Sequence, residues 1–274
     1  MRDMKVLVTG GSGRTGRLVA EAAAAAGLGV RAVSRSAAVP FDWDDRSTWA
    51  AALDGVDAAY LAYYSDIGAP TAADAIGALA RQAVASGVRR LVLLSARGEE
   101  LALPAERALG ESGADWTILR CSWFAQNFSE GPLLEAVRGG ELAFPAGEIR
   151  EPFIDARDIA DVVVTALTDE RHSGRVYELT GPRLLTWREA VAEVSRATGQ
   201  EIHYVPVPVR DYATVMREIG MPDPEVEFLT ALFTDLLDGH NARLADGVRQ
   251  VLGREPRDFT AFARTDAAAG TWKG

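Results

Sequence analysis

A doubly wound parallel α/β sheet with a smaller, mostly C-terminal lobe is the fold this sequence predicts. Three observations carry the prediction. Short apolar runs alternate with longer helical patterns through roughly the first 180 residues, the texture of successive strand, helix, strand units. Four glycines fall within Gly10 to Gly16, between the first apolar run and the first helical stretch. After about Gly181 the pattern shortens, and Pro206, Pro208, Pro222 and Pro224 break it into short helices and loops.

Taken in order, the strands are expected at Val6–Thr9, Val30–Ser34, Ala58–Ala62, Leu91–Ser95, Thr117–Leu119 and, after an excursion, Val176–Thr180. Ile76, Leu79, Ala80, Ala83 and Val84 fall on one face of a helix, and Gly87 is placed to end it. A second stripe, Ile159, Val162, Val163, Ala166 and Leu167, follows Asp155. Thr186 and Glu189 have the spacing of a capping box ahead of Ala190, Val191, Val194 and Ala197, with Gly199 as the stop. The division expected is a nucleotide-binding domain over residues 1–180 and a substrate-binding lobe over 181–274, with the excursion 124–149 contributing to the lobe.

Composition narrows the function classes. The chain has 274 residues, 48% hydrophobic and 25% charged, ordinary for a soluble globular protein. With 29 basic against 39 acidic residues and a net charge of −10, most of the surface repels a phosphate backbone, so nucleic acid is not an expected partner. One cysteine, Cys121, allows no internal disulfide. No apolar run approaches the roughly 20 residues a bilayer requires, and no signal-like segment precedes the first strand. The expected location is cytoplasmic, with no membrane partner.

The glycine turn carries the chemistry. Gly11, Gly13 and Gly16 satisfy G-x-G-x-x-G, while Gly10, Gly13 and Gly16 satisfy G-x-x-G-x-x-G. Between a strand and a helix, such a turn brings backbone amides and a helix N-terminus against a pyrophosphate, the fingerprint of the Rossmann fold. A tight turn with close helix packing is the plainer alternative. Where the second strand ends, an NAD-selective site would carry a carboxylate for the ribose hydroxyls. This chain has Ser34 and Arg35 there, with Arg14 in the turn. A guanidinium suits a 2′-phosphate, so NADP(H) is expected in preference to NAD(H). Arg31 is read as a solvated strand end and not as a cofactor contact.

The segments VTGGSGRTG, VRAVSRS, FDWDD, DWTILRCSWFAQNF, EPFIDARDIADVV, YELTGPRLLTWREA and GREPRDF together resemble the NmrA-like branch of the atypical short-chain dehydrogenase/reductase superfamily. The resemblance runs from residue 5 to about 263. That branch includes NAD(P)H-dependent quinone reductases, triphenylmethane dye reductases and ergot-pathway reductases, as well as regulators that bind the dinucleotide without turning it over. Carried over by position, it implies that Thr9, Gly10, Gly13, Arg14, Thr15 and Gly16 meet the phosphates and Ser34 and Arg35 the 2′-phosphate. Asp42, after a third strand, would lie at the adenine. Ala62 and Tyr63, after a fourth strand, and Ser95, after a fifth, would line the ribose. Cys121, where the family more often has proline, would follow a sixth strand beside the nicotinamide, as a buried and inert thiol.

Mainstream short-chain dehydrogenases pair a tyrosine with a lysine four residues on, so that the ammonium lowers the tyrosine pKa. The only lysines here are Lys5 and Lys273, and neither follows a tyrosine at that spacing. An acceptor that takes hydride without strong acid catalysis is therefore expected: a small conjugated carbonyl, quinone or iminium, held against the nicotinamide. Tyr64, Trp123, Phe124 and Phe153 are the expected wall of a slot for it, each with a core position as the alternative. Tyr63 and Ser95 are the expected hydrogen-bond donors to a developing oxyanion. His172, His203 and His240 lack metal-ligand spacing. Asp155 and Asp158 read as the cap and first turn of a helix, and Glu99, Glu100 and Glu106 as helix surface. The alternative function is a catalytically inactive NAD(P)-sensing module that acts through protein partners.

Overall fold

The computed structural model describes residues 4–64 and 66–273. Six parallel strands form the main sheet: β1 (Lys5–Val8), β2 (Gly29–Ala32), β3 (Ala58–Leu61), β4 (Arg90–Ala96), β5 (Asp115–Cys121) and the strand Arg175–Leu179. Their spatial order is β2-β1-β3-β4-β5 and then Arg175–Leu179. Helices α1 (Arg14–Ala25), α2 (Trp49–Leu53), α3 (Ala72–Ala85) and α4 (Leu103–Gly110) fill the crossovers. This is the doubly wound Rossmann arrangement, and all six expected strands are present within a few residues of their expected limits. The third strand that the family resemblance implied before Asp42 is not formed. Only an isolated bridge, Ser34 to Pro40, marks it, and the following residues are held instead by tryptophan side chains.

The chain divides into two compact units, each of three segments. Unit 1 comprises Met1–Cys121, Ala156–Leu179 and Asp246–Glu255. Unit 2 comprises Ser122–Asp155, Thr180–Ala245 and Pro256–Gly274. A boundary at residue 180 would assign Asp246–Glu255 to the lobe, but the structure places it in unit 1, where a Cβ on Gly247 would lie 2.3 Å from the Glu178 carbonyl oxygen. Only glycine allows the helix Gly247–Leu252 that close to the edge strand.

In unit 1 the strands bury residues on both faces, as a sheet covered by helices requires. Ile76, Leu79, Ala80 and Ala83 are the buried face of α3, and Gly87 takes a φ of +86° just beyond it. Helix Ala156–Thr168 buries Ile159, Val162, Val163, Ala166 and Leu167 as its spacing predicts. Asp158 is buried on it and pairs with Arg254 at 2.7 Å.

Unit 2 is organised around aromatic rings. Trp187 lies 4.1 Å from Phe144 in a stacked pair and contacts Trp123, Phe128 and Phe153. Helix Trp187–Thr198 begins with the predicted capping box, in which Thr186 and Glu189 exchange hydrogen bonds, and ends at Gly199 with φ +71°.

Candidate functional site

In the order β2-β1-β3, the chain leaves β1 for one side and later returns on the other, so the carboxyl ends of β1 and β3 flank the topological switch point, where open α/β sheets bind ligands. Thr9 stitches these ends together. Its hydroxyl approaches the carbonyls of Tyr60 at 3.2 Å and Ala62 at 3.4 Å, and accepts from the Ala62 amide at 2.8 Å.

The glycine turn follows directly. Gly10 takes φ +63°, a conformation costly for any residue with a Cβ. A Cβ on Gly11 would come 2.7 Å from the Ala32 Cβ of β2, and one on Gly16 would come 2.1 Å from the Gly10 carbonyl oxygen. Helix α1 is thereby drawn down onto the turn. The first turn of α1 has no side-chain cap and no acidic residue, leaving the positive end of its dipole to an outside anion. Arg14 opens the helix, half-buried, and the buried Thr15 hydroxyl accepts from the Tyr60 hydroxyl at 2.9 Å. Burial raises the Tyr60 pKa above the ordinary tyrosine value, so this phenol stays a donor. Tyr60 is one of three residues that sequence reasoning missed, because its partner lies 45 positions away.

The others are Trp43 and Trp49. Trp43 Nε1 donates to the Ala62 carbonyl at 3.1 Å and Trp49 Nε1 to the Asp42 carbonyl at 2.8 Å. Phe41, Trp43, Trp49 and Tyr63 form one set of ring contacts, which fixes Asp42 beside the end of β3 without a strand. The Asp42 carboxylate accepts from the Asp44 amide, and Asp45, not Asp42, caps the short helix that follows.

The two arginines at the end of β2 differ sharply. Arg31 donates to the carbonyls of Ala51, Ala52 and Asp54 and so closes the C-terminus of α2. Arg35 is exposed, and its guanidinium rests 5.3 Å from the Tyr64 ring centroid. Ser34 is half-buried between them, its carbonyl accepting from the Phe41 amide.

Several expectations are corrected. Ser95 is buried and donates its hydroxyl to Glu106 at 2.6 Å, so that proton is committed internally. Glu106 and Glu99 are buried and not helix surface; Arg120 clamps Glu106 through Nε and Nη2, down to 2.6 Å. The Glu106 contact raises the Arg120 pKa. Tyr64 is exposed in unit 1, where its ring faces the Arg35 guanidinium. Phe153 is buried in the core of unit 2 against Phe128, Trp187 and Phe259, the core position given as its alternative. Tyr63 is half-buried with its hydroxyl 2.9 Å from Thr71 Oγ1. Trp123 and Phe124 are half-buried in unit 2. Cys121 is buried at the end of β5, where burial pushes the thiol pKa well above its ordinary value, into an inert form. His172 meets the Tyr177 hydroxyl at 2.9 Å, and His203 and His240 meet Glu201 and Asp238. Among the described residues no group of three or more His, Cys, Asp or Glu could hold a metal ion, and no helix is long and apolar enough to cross a membrane.

The turn and the helix end fit a dinucleotide pyrophosphate on geometric grounds: glycine is required wherever backbone must come close, and the N-cap of α1, Gly13, offers no side-chain cap. Comparison with known proteins agrees. A family model described as NAD(P)H-binding matches residues 10–170, and one described as the NmrA-like family matches residues 103–259. The NAD(P)H azoreductase of Xenophilus azovorans is 32% identical, over 96% of this chain and 98% of that protein. A Streptomyces griseus enzyme, (4-alkanoyl-5-oxo-2,5-dihydrofuran-3-yl)methyl phosphate reductase, is 31% identical over 96% and 98%. Among solved structures, the Escherichia coli NADPH-dependent quinone oxidoreductase complexed with NADPH has a TM-score of 0.79 at 21% identity, covering 96% of this chain and 99% of that one. That likeness shows the fold.

Proposed function

The chain belongs to the NmrA-like family, as an NAD(P)H-dependent oxidoreductase, and from that premise we propose that it uses NADPH to reduce a small conjugated carbonyl, quinone or iminium acceptor. The observation that carries the cofactor half is the acid-free, uncapped start of α1 behind the glycine turn, with Arg14 at its first position and Arg35 at the end of β2. No carboxylate stands at Ser34 or Arg35 to repel a 2′-phosphate. Bound there, the reduced dinucleotide supplies a hydride.

The protein's own residues bind and orient. Amides of the turn and of α1 receive the pyrophosphate, with Gly10, Gly13 and Gly16 admitting it and Thr9 holding the strand ends that frame it. Arg35 and Ser34 receive the 2′-phosphate, and Asp42 the adenine. The methyl of Ala62 lines the ribose, since its own N–H and C=O are engaged by Thr9 and Trp43. Trp123 and Phe124, which follow β5 directly in the chain, are the aromatic contacts proposed for a flat acceptor.

Support for this acceptor class comes from the missing lysine. Lys5 starts β1, at the opposite end of the strand from the glycine turn, and Lys273 is at the far end of the sequence. Neither lysine stands four residues after a tyrosine. With Ser95 committed to Glu106, Tyr63 and water are the remaining hydrogen-bond donors for an acceptor oxygen. Acceptors whose reduced forms are already stabilised avoid that deficit. The Streptomyces relative is named for reducing a ring of this conjugated type.

The test is a cofactor-fluorescence titration with NADPH and NADH, followed in the same cuvette by a panel of quinones, enones, iminium salts and azo dyes. Tighter binding of NADPH and its oxidation by at least one conjugated acceptor are expected. Tight binding with no oxidation across the panel would replace the enzyme by the sensing module.

A further inference from the structure

We propose that Tyr64 is a specificity-determining positioning residue: its ring is the platform that presents the Arg35 guanidinium to the 2′-phosphate of NADPH. The inference rests on the cofactor reading above and assigns a role to a residue the sequence placed elsewhere.

Three observations converge on it. Arg35 follows β2 and Tyr64 follows β3, and β1 lies between those strands. Parallel neighbours are about 4.8 Å apart, so side chains from β2 and β3 can meet only by leaning over the end of β1, where Gly10 and Gly11 turn. They do meet, with the guanidinium 5.3 Å from the ring centroid. The pair therefore spans the end of β1 beside the glycine turn, where the cofactor reading puts the ribose phosphate.

Arg35 has also been left available. Most arginines here meet a carboxylate, as Arg120 meets Glu106 and Arg183 meets Asp258. Arg35 has no carboxylate partner and no hydrogen bond among the described residues, although the chain holds 39 acids and a net charge of −10. A carboxylate there would both neutralise the guanidinium and repel the incoming phosphate. An aromatic face does neither: it attracts the cation by its quadrupole and leaves the N–H edge free to donate.

Tyr64 itself has no other duty in the structure. It is 69% exposed, the highest exposure of any large aromatic side chain among the described residues, and it takes no part in the nearby ring contacts of Phe41, Trp43, Trp49 and Tyr63. A ring that contributed to the core would be buried, as Tyr60 is. Here the ring is held out in water under a cation. Fixing a flexible, exposed guanidinium before the ligand arrives lowers the ordering cost of binding.

The experiment measures dissociation constants for NADPH and NADH by cofactor fluorescence in the parent protein, Y64L, Y64F, R35Q and the R35Q/Y64L double variant, with thermal melts to confirm folding. Y64L is expected to weaken NADPH by about two- to five-fold, the range of an exposed cation–π contact, while NADH is unchanged and Y64F behaves as the parent. In the R35Q background, Y64L is expected to add nothing, because the two residues act as one unit. Equal weakening of both cofactors by Y64L would make the ring an adenine contact and overturn the proposal, as would an unchanged NADPH affinity. Failure of the underlying reading looks different: the parent protein itself would not prefer NADPH, or R35Q would leave the preference intact.

Discussion

Gly16 is where the nucleotide turn has least latitude. A Cβ there would meet the carbonyl oxygen of Gly10 at 2.1 Å, whereas the same atom on Gly13 would stand 3.1 Å from it. Backbone, unlike a side-chain tip, cannot rotate away, so Gly16→Ala must lift α1 off the turn, at the 1–3 kcal/mol typical of overpacking. NADPH affinity measured by fluorescence is expected to fall at least tenfold, and the melting midpoint by a few degrees. Gly13→Ala, which asks a neighbour to yield only a few tenths of an ångström, is expected to cost less on both scales. The motif was readable in the sequence, but its two alternative registers assigned the glycines equally well. Only coordinates separate the left-handed Gly10 from Gly11, which touches β2, and Gly16, which touches Gly10. The contact between Arg35 and Tyr64 was not legible, because its two partners follow different strands.

Element by element, what could be read was local chemistry. The capping box of Thr186 and Glu189 lies within four residues and appears as its spacing predicts. What could not be read depends on partners far along the chain. Glu106 looks like any glutamate on a short helix until Arg120 and Ser95, 14 and 11 positions away, are brought to it. The strand expected before Asp42 failed for a related reason: Trp43 and Trp49 hold that segment by their indole donors, so no ladder is needed.

The start of the last helix, Phe259–Ala268, offers a test of such a long-range tie. Asp258 caps it by accepting from the Thr260 amide, and pairs with Arg183 at 2.7 Å. The Arg183 hydrogen bond is the main cause that lowers the Asp258 pKa from 3.8 to about 2. A depressed carboxylate stabilises the fold fully above its unfolded value and loses that contribution as pH falls through the folded one. Asp258→Asn keeps a capping oxygen and removes the charge. The variant is expected to melt about 2 °C below the parent at pH 7, consistent with a partly exposed pair worth about 1 kcal/mol or less. The gap should shrink between about pH 4 and pH 2, as thermal melts across that window would show.

At the scale of the whole molecule, a protein of net charge −10 must bind an anion. Arg14, Arg35 and the start of α1 are the positive groups proposed to meet it, each acting within roughly one Debye length, about 10 Å at 0.1 M salt. Raising the salt from 50 to 300 mM should therefore weaken NADPH, and should weaken NADH less, because in the proposed mode Arg35 meets the extra phosphate. Parallel titrations at the two salt concentrations check this. A salt response equal for the two cofactors would place the discriminating charge elsewhere.

The chain passes between its two units five times, and the last stretch of unit 1 is Asp246–Glu255. Synthesis proceeds from the N-terminus, so unit 1 cannot complete its own contacts until Asp246–Glu255 has emerged, with most of unit 2 already outside the ribosome. Neither half can be cut out of the gene as one continuous piece. A truncation that stops short of residue 246 would leave the edge strand Arg175–Leu179 without the helix that settles against it, however intact the glycine turn at the other end.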